Sequence, residues 1–424
     1  MNINERTWRF VREHVDGDVR KLALQGAKDA DIDLQMALQQ IAGRQTARRK
    51  LPSWAAVEGI VYPPHLNMEQ CSSEQTARYK AGLVLGDGCS VMEDGVSFVD
   101  LTGGFGVDFY WIAKAISHCV PHSDLKVREH SSPTTHHLIY IEQNKALCEI
   151  ATHNFATLGL ECSVCCCDTT TYLTDMPHVS LAFLDPARRN EHGGRTYGIE
   201  DCTPNVLELL PVLMSKADRV MLKLSPMLDW RKAVEDLKHV CEVHIVSIDN
   251  ECKELLLVLD KERAESLRVV CVNLSKDGEQ LFETSYGRQS STGNHISHLS
   301  PLISHFLYEP NASIMKAGCF KEMEERFPVQ QISQNSHLFL SSDEIGDFPG
   351  RKFQILSISS MNKQDLRTHL KDIESANISV RNFPMNVDML RKKLKLKDGG
   401  NVYIFATTTT SGEHRLFICR KIDN

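Results

Sequence analysis

No apolar run in this chain of 424 residues approaches the roughly 20 needed to cross a bilayer. The N-terminus, Met1-Asn-Ile-Asn-Glu-Arg6, lacks the apolar segment of a signal peptide, so a cytoplasmic location and no membrane partner are expected. Positive charge is not in excess: 48 Lys and Arg against 55 Asp and Glu leave a net charge of -7. That excludes a wholly basic nucleic-acid binder and leaves room for local patches. There is no internal repeat or low-complexity tract, and 42% hydrophobic with 24% charged residues is a globular composition, long enough for two or three domains. The 14 cysteines form no spaced disulfide framework, which predicts reduced thiols. Cys162-x-x-Cys165-Cys166-Cys167 lacks the second pair of a zinc site and follows a strand pattern, where cysteine serves as a small apolar filler. No metal is expected.

What is present is organised around Val96-Ser-Phe-Val-Asp-Leu-Thr-Gly-Gly-Phe-Gly-Val-Asp108. An apolar run reaches Asp100, glycines follow at Gly104 and Gly106, and Phe109, Trp111, Ile112 and Ala113 recur with helical spacing. The reading is strand, glycine turn, helix, a turn that tolerates positive φ and lets a ligand lie against bare backbone. A dinucleotide site would need a third glycine at 109, where Phe109 stands.

Residues 1–85 read as helical, with Trp8, Val11 and Val15 on one face, Leu34, Leu38 and Ile41 on another, and a capping box over Ser72 to Gln75. Arg44, Arg48, Arg49 and Lys50 are a solvated helix face or an RNA contact. Over 86–262, strands alternate with helical or polar segments, the pattern of a parallel sheet covered on both faces. Val243 to Ile248 and Leu255 to Leu259, joined by polar residues 249–254, are expected to be an antiparallel hairpin closing that sheet. The insertion from Ser117 to His137 carries His118, His122, His130, His136 and His137 at irregular spacing, which fits a solvated loop better than a metal site. Beyond Leu267 short strands and two helical stretches read as one or two small α+β units, and the final stretch, from Arg381 to Lys421, is locally basic inside an acidic protein.

Asp-x-x-x-Gly-x-Gly after an apolar strand resembles the first motif of class I S-adenosylmethionine-dependent methyltransferases. The segments at 69–74 and 76–81, the glycine stretch, Leu184-Asp-Pro-Ala-Arg-Arg189 and Leu222-Lys-Leu-Ser-Pro-Met-Leu-Asp229 together resemble a bacterial group of these enzymes with C-terminal ferredoxin-like and THUMP-like domains. The resemblance implies an α/β fold with a Rossmann-like methyltransferase domain over 86–262. A helical region over 1–85 would precede it, and a ferredoxin-like domain over 267–345 and a THUMP-like domain over 346–424 would follow. It implies S-adenosyl-L-methionine as cofactor and, because THUMP domains elsewhere present RNA to an attached catalytic domain, RNA (tRNA or rRNA) as partner.

The candidate cofactor residues are Asp100, Thr102, Gly104 and Gly106 on the first strand and its turn, Glu142 closing the second strand, and Asp168 after the third. Glu142 can accept from ribose hydroxyls, standing 36 residues beyond Gly106 where about 20 is usual because the His-rich insertion intervenes. Asp168 can accept from an adenine amino group; either carboxylate can instead be an ordinary exposed strand-end residue. Asp185 and Pro186 are the candidate catalytic pair at the switch point of the sheet. Many methyltransferases that act on nucleobase amino groups have Asp/Asn-Pro-Pro-aromatic there; this chain has Ala187 and Arg188 in the last two places, with Arg188 able to stack on a base or pair with a phosphate. Arg188, Arg189, Lys223 and Ser225 are candidate substrate contacts. The expected function is methyl transfer from S-adenosylmethionine to a base in structured RNA, the alternatives being a protein or small-molecule acceptor, or a non-catalytic RNA-binding protein.

Overall fold

The computed structural model describes residues 3–27, 29–85, 97–118, 137–188, 198–261, 266–287 and 304–422. The chain divides into two compact units, residues 1–241 with 254–264, and residues 242–253 with 265–424, so the division falls inside two neighbouring strands.

The first unit opens with helices α1 (Glu5–His14), α2 (Val19–Gln25), α3 (Leu34–Lys50), α4 (Pro52–Ala55), α5 (His65–Gln70) and α6 (Glu74–Leu85). Val11, Leu22, Ala37 and Ile41 form a small core there, with Trp8 and Leu38 against it, so the expected apolar faces do meet. The expected cap of α6 moves by one residue: Ser73 Oγ accepts from Thr76 N at 3.2 Å, which frees Ser72 for another task.

Then follow β1 (Ser97–Asp100), α7 (Val107–His118), β2 (His137–Glu142), α8 (Lys145–Thr157), β3 (Ser163–Cys166), α9 (Thr169–Asp175) and β4 (Val179–Leu184). A two-residue ribbon, β5 (Ala187–Arg188) with β6 (Cys202–Thr203), leads to α10 (Val206–Lys216), β7 (Ala217–Leu224), α11 (Trp230–Leu237), β8 (Val240–Ile248) and β9 (Glu251–Asp260). The sheet of this unit runs β9-β7-β4-β1-β2-β3. β1 pairs in parallel with β2 and β4, β2 with β3 and β4 with β7, whereas β9 lies antiparallel to β7. Because β1 is bonded on both edges and its successors go first to one side and then the other, the carboxyl ends of β1 and β4 flank a switch point, where doubly wound sheets bind ligands. Phe98, Phe109, Tyr140 and Phe155 pack ring against ring in the core, Phe98 stacked on Phe109 and Tyr140 edge-on to Phe109 and Phe155, with Tyr140 and Phe155 directly beneath the turn after β1. Of the His-rich insertion, residues 119–136 lie outside the described residues.

In the second unit the connection between β8 and β9 is tighter than expected. Asp249 and Asn250 both take positive φ, 48° and 64°, as a two-residue hairpin turn requires, and Glu251 already belongs to β9. β10 (Ser266–Ser275) runs parallel to β8 and antiparallel to β11 (Gly278–Gly287). Next come β12 (Phe306–Pro310), α12 (Ala312–Ala317), α13 (Phe320–Arg326), β13 (Gln330–Gln331), β14 (Phe339–Ser341), β15 (Gly350–Ser359), α14 (Lys363–Leu370), β16 (Asn377–Arg381), α15 (Val387–Leu394), β17 (Val402–Thr408) and β18 (His414–Ile422). One seven-stranded sheet, β13-β14-β12-β15-β18-β17-β16, contains all of the strands from β12 onward. The strands expected within a single unit over 267–345 therefore fall in two sheets, β10 and β11 with β8, and β12 to β14 with β15.

Candidate active site

The turn after β1 is built from three glycines with different duties. At Gly103 an added Cβ would stand 2.1 Å from the Tyr140 ring, so only glycine lets the loop lie on β2. Gly104 and Gly106 have φ of 58° and 84°, and an added Cβ on Gly106 would meet Phe155 at 2.6 Å, whereas above Gly104 the nearest atom is Thr102 O at 3.8 Å. The loop is thus packed below and bare above. Gly103 N donates to Ile141 O at 2.8 Å, Tyr140 Oη to Gly104 O at 2.5 Å, and Gly104 N to Glu142 Oε2 at 2.9 Å. The other carboxylate oxygen of Glu142 accepts from Asn144 N at 2.7 Å. Each oxygen keeps a lone pair, which a vicinal diol can use.

Asp100 is buried and accepts from Thr102 N at 2.9 Å, while Thr102 Oγ1 accepts from Asp185 N at 2.6 Å, so one threonine links the ends of β1 and β4. Burial pushes the Asp100 carboxyl well above its ordinary value, and the neighbouring Asp108 and Asp185 charges add to the rise. Asp168 caps α9: Oδ1 accepts from Thr171 N at 3.0 Å and from the Thr170 hydroxyl, Oδ2 from the Thr171 hydroxyl. Those hydroxyls, first of all, hold its carboxyl below the usual range, and one lone pair on Oδ2 remains for a ligand amino group.

Behind Asp185 lies a chain of alternating charges. Lys223, at the end of β7, pairs with Asp185 Oδ2 and stands 3.6 Å from Asp108 Oδ2. Lys80 of α6 stands 3.0 Å from Asp108 Oδ1 and pairs with Glu254 of β9. Ser72 Oγ is 2.7 Å from Asp108 Oδ2, 3.1 Å from Glu254 Oε1 and 3.1 Å from Lys80 Nζ. Lys80 is 0% exposed, whereas the side chain of Asp185 is 36% exposed, so the chain runs from the interior to the crevice. Burial would raise Asp108, but Lys80 and Lys223 outweigh it and hold the carboxyl below its ordinary value. For Lys223 burial acts to lower the ammonium and the facing carboxylates, Asp185 foremost, win and raise it. Asp185 is raised by burial, with Lys223 pulling the other way.

Two domain models match the C-terminal part of the chain. Residues 306–349 match the model of a ferredoxin-like domain and residues 350–421 that of a THUMP domain-like family. A candidate methyltransferase from Porphyromonas gingivalis W83, known from its crystal structure, is 28% identical and superposes over 100% of both chains with a TM-score of 0.79. The chain is a class I S-adenosylmethionine-dependent methyltransferase by architecture. Two Mycobacterium tuberculosis proteins (strains CDC 1551 and H37Rv), each named an uncharacterized S-adenosylmethionine-dependent methyltransferase, are 24% identical over 276 residues, 64% of this chain and 72% of theirs. The bare glycine cradle and the free lone pairs on Glu142 and Asp168 suit a cofactor with a ribose diol and an adenine amino group.

The methyltransferase brings the candidates at the ends of β1, β2 and β4 into one crevice, linked through Thr102 and Gly104 N. Pro186 is buried beside Asp185, and lacking an N–H it offers only its carbonyl. Ser225 is occupied in a turn, its Oγ accepting from Met227 N at 3.2 Å. The backbone of Arg188 pairs with Cys202 in the short ribbon, and Arg189 lies outside the described residues. Lys80, Asp108, Glu254 and Ser72 join Lys223 and Asp185 in the chain of alternating charges, and sequence reasoning missed them. The sequence signal for them is that Ser72 and Lys80 lie within segments 69–74 and 76–81, which carry the family resemblance, and that Asp108 ends the glycine stretch.

In the second unit, three residues of the basic C-terminal stretch are already paired. Arg381 binds the buried Glu309 at 3.0 Å, Arg391 binds Asp398 at 2.7 Å and Arg415 binds Glu413 at 3.0 Å. Lys392, Lys393, Lys395 and Lys397, on and just after α15, are exposed, as are Arg420 and Lys421.

Proposed function

We propose that this methyltransferase transfers a methyl group from S-adenosylmethionine to structured RNA, tRNA or rRNA. The observation that carries the reading is the joining, in one chain, of the glycine cradle and its carboxylates to a THUMP domain-like segment that displays four lysines on and beside one helix. Asp100, Thr102, Gly104, Gly106, Glu142 and Asp168 hold the cofactor, Glu142 through the ribose and Asp168 through the adenine edge. The cofactor, when bound, supplies a methyl already activated by a sulfonium, so the protein needs mainly to align the acceptor and remove a proton. Asp185 takes the acceptor proton and the Pro186 carbonyl orients the acceptor. Arg188, Arg189 and the exposed C-terminal lysines hold phosphates, where they act through charge rather than sequence.

The test is transfer of labelled methyl from S-adenosylmethionine to bulk RNA from cells lacking the gene, beside RNA from wild-type cells and a protein extract. Label in the mutant RNA alone is the expected result. Label in protein, or nowhere, overturns the RNA reading. Which atom of the nucleotide accepts the methyl turns on the charges around Asp185.

A further inference from the structure

We infer that the acceptor is a hydroxyl oxygen of the RNA ribose rather than a nitrogen of a base, with Asp185 as proton acceptor and Lys223 as the cation that stabilises the oxygen. This rests on the RNA reading above and names its acceptor atom.

The charge that develops during transfer decides between the two acceptors. An amine attacking a sulfonium methyl becomes positive before it loses its proton, so a neighbouring ammonium opposes the step. A hydroxyl gives up its proton and its oxygen becomes negative, so a preorganised ammonium favours it. Lys223 is such an ammonium: it is 9% exposed, it sits on Asp185 Oδ2, and Asp108 fixes it from behind. The Asp/Asn-Pro-Pro-aromatic pattern of base-amine methylation is broken in its last two places, where Ala187 and Arg188 stand and no aromatic ring follows the Asp-Pro turn.

The proton has a destination. Lys223 occupies one carboxylate oxygen of Asp185; Oδ1 has no hydrogen-bond partner among the described residues, and the side chain is 36% exposed. The charged groups facing Asp185 are Lys223 from β7, Asp108 from α7, Lys80 from α6 and Asp100 from β1, with Glu254 of β9 behind Lys80. In the chain Asp185–Lys223–Asp108–Lys80–Glu254 three carboxylates face two ammoniums, so a proton arriving on Asp185 reduces an excess of negative charge. Burial raises the Asp185 carboxyl, which makes it a better base than an exposed one. In balance, the hydroxyl O–H bond breaks and its proton goes to Asp185 Oδ1. The oxygen pair forms the new O–CH3 bond, and the electrons of the broken C–S bond stay on sulfur as a neutral thioether. Lys80, Asp108, Glu254 and Ser72 touch no reactant; they are positioning residues that keep Lys223 in place.

The deciding experiment compares total RNA from cells with and without the gene, digested to nucleosides and analysed by mass spectrometry. A ribose-methylated nucleoside and a base-methylated one are told apart by which fragment keeps the methyl. Loss of a methylated ribose in the deletion strain, restored by the wild-type gene and not by Asp185→Asn, is expected. Loss of a base-methylated nucleoside overturns the oxygen acceptor and leaves the RNA reading standing, whereas no loss in any RNA overturns both. With purified full-length enzyme, Lys223→Met is expected to lower kcat about 100-fold or more while the cofactor dissociation constant, read by calorimetry, changes less than about threefold. Lys223→Arg should recover part of the rate, and an unchanged kcat in folded Lys223→Met overturns the role of the lysine.

Discussion

At the scale of the residue, the glycine turn separates two demands that a sequence merges. Gly103→Ala drives a Cβ to 2.1 Å from Tyr140, a ring buried beneath the loop, and overpacking of this kind costs about 1–3 kcal/mol or more where backbone must move. Gly104→Ala meets nothing closer than 3.8 Å, so its cost is the left-handed φ of 58°, about 1 kcal/mol. Its methyl, however, fills the bare side of the cradle. Thermal melting should therefore single out Gly103→Ala, while calorimetric titration with S-adenosylmethionine should single out Gly104→Ala. The same ranking in both assays would mean that the ligand does not lie over Gly104. Much of this site was legible: Asp100, Gly104, Gly106 and Glu142 announce themselves by strand ends and glycines. Gly103 did not, because its partner Tyr140 is distant in sequence, and Lys80 did not because Glu254 lies 174 residues away, beyond any local pattern.

At the scale of the element, α6 is held to the sheet by charge as well as by Ala77 and Ala81. Lys80 is the cation between Asp108 and Glu254, and removing one partner of a buried pair leaves charges uncompensated, at about 3–5 kcal/mol. Lys80→Met should lower the free energy of unfolding in urea by that order. It should also change the response to acid. Asp108 has a depressed folded value, so its contribution is complete above the unfolded pKa of about 3.9 and is lost as pH falls through the folded one. With Lys80 gone, burial pushes against one lysine instead of two, and the folded value rises. Less of the Asp108 contribution is then left to lose between the two values, so the acid-induced fall in melting temperature should be smaller in Lys80→Met than in the wild type, and parallel curves would place the stabilisation elsewhere. Element types were mostly readable from periodicity. Boundaries were less so, since Ser73 rather than Ser72 caps α6, and the six polar residues read as a connection resolve into a two-residue turn and the start of β9.

At the scale of the whole molecule, an acidic chain that binds RNA, as proposed, must do so through a local basic surface. Nine Lys and Arg residues fall between Arg381 and Lys421, and the folded sheet sorts them. Arg381 and Arg351 clamp Glu309 where β12, β15 and β16 share one sheet, so these arginines serve packing between strands that the sequence assigned to separate domains. Lys392, Lys393, Lys395 and Lys397 remain exposed at the surface. Each phosphate contact releases counterions, and the slope of log affinity against log salt falls by about 0.7 per contact on single strands and 0.9 on duplex. In the full-length protein, Lys392→Glu with Lys393→Glu and Lys395→Glu should weaken binding to bulk RNA and flatten that slope by roughly 2–3, with melting temperature little changed because all three side chains are exposed. Filter binding from low to moderate salt measures it. An affinity loss with an unchanged slope would mean that the lysines act on the shape of the domain rather than on phosphates, and an unchanged affinity would move the RNA to another face of the chain.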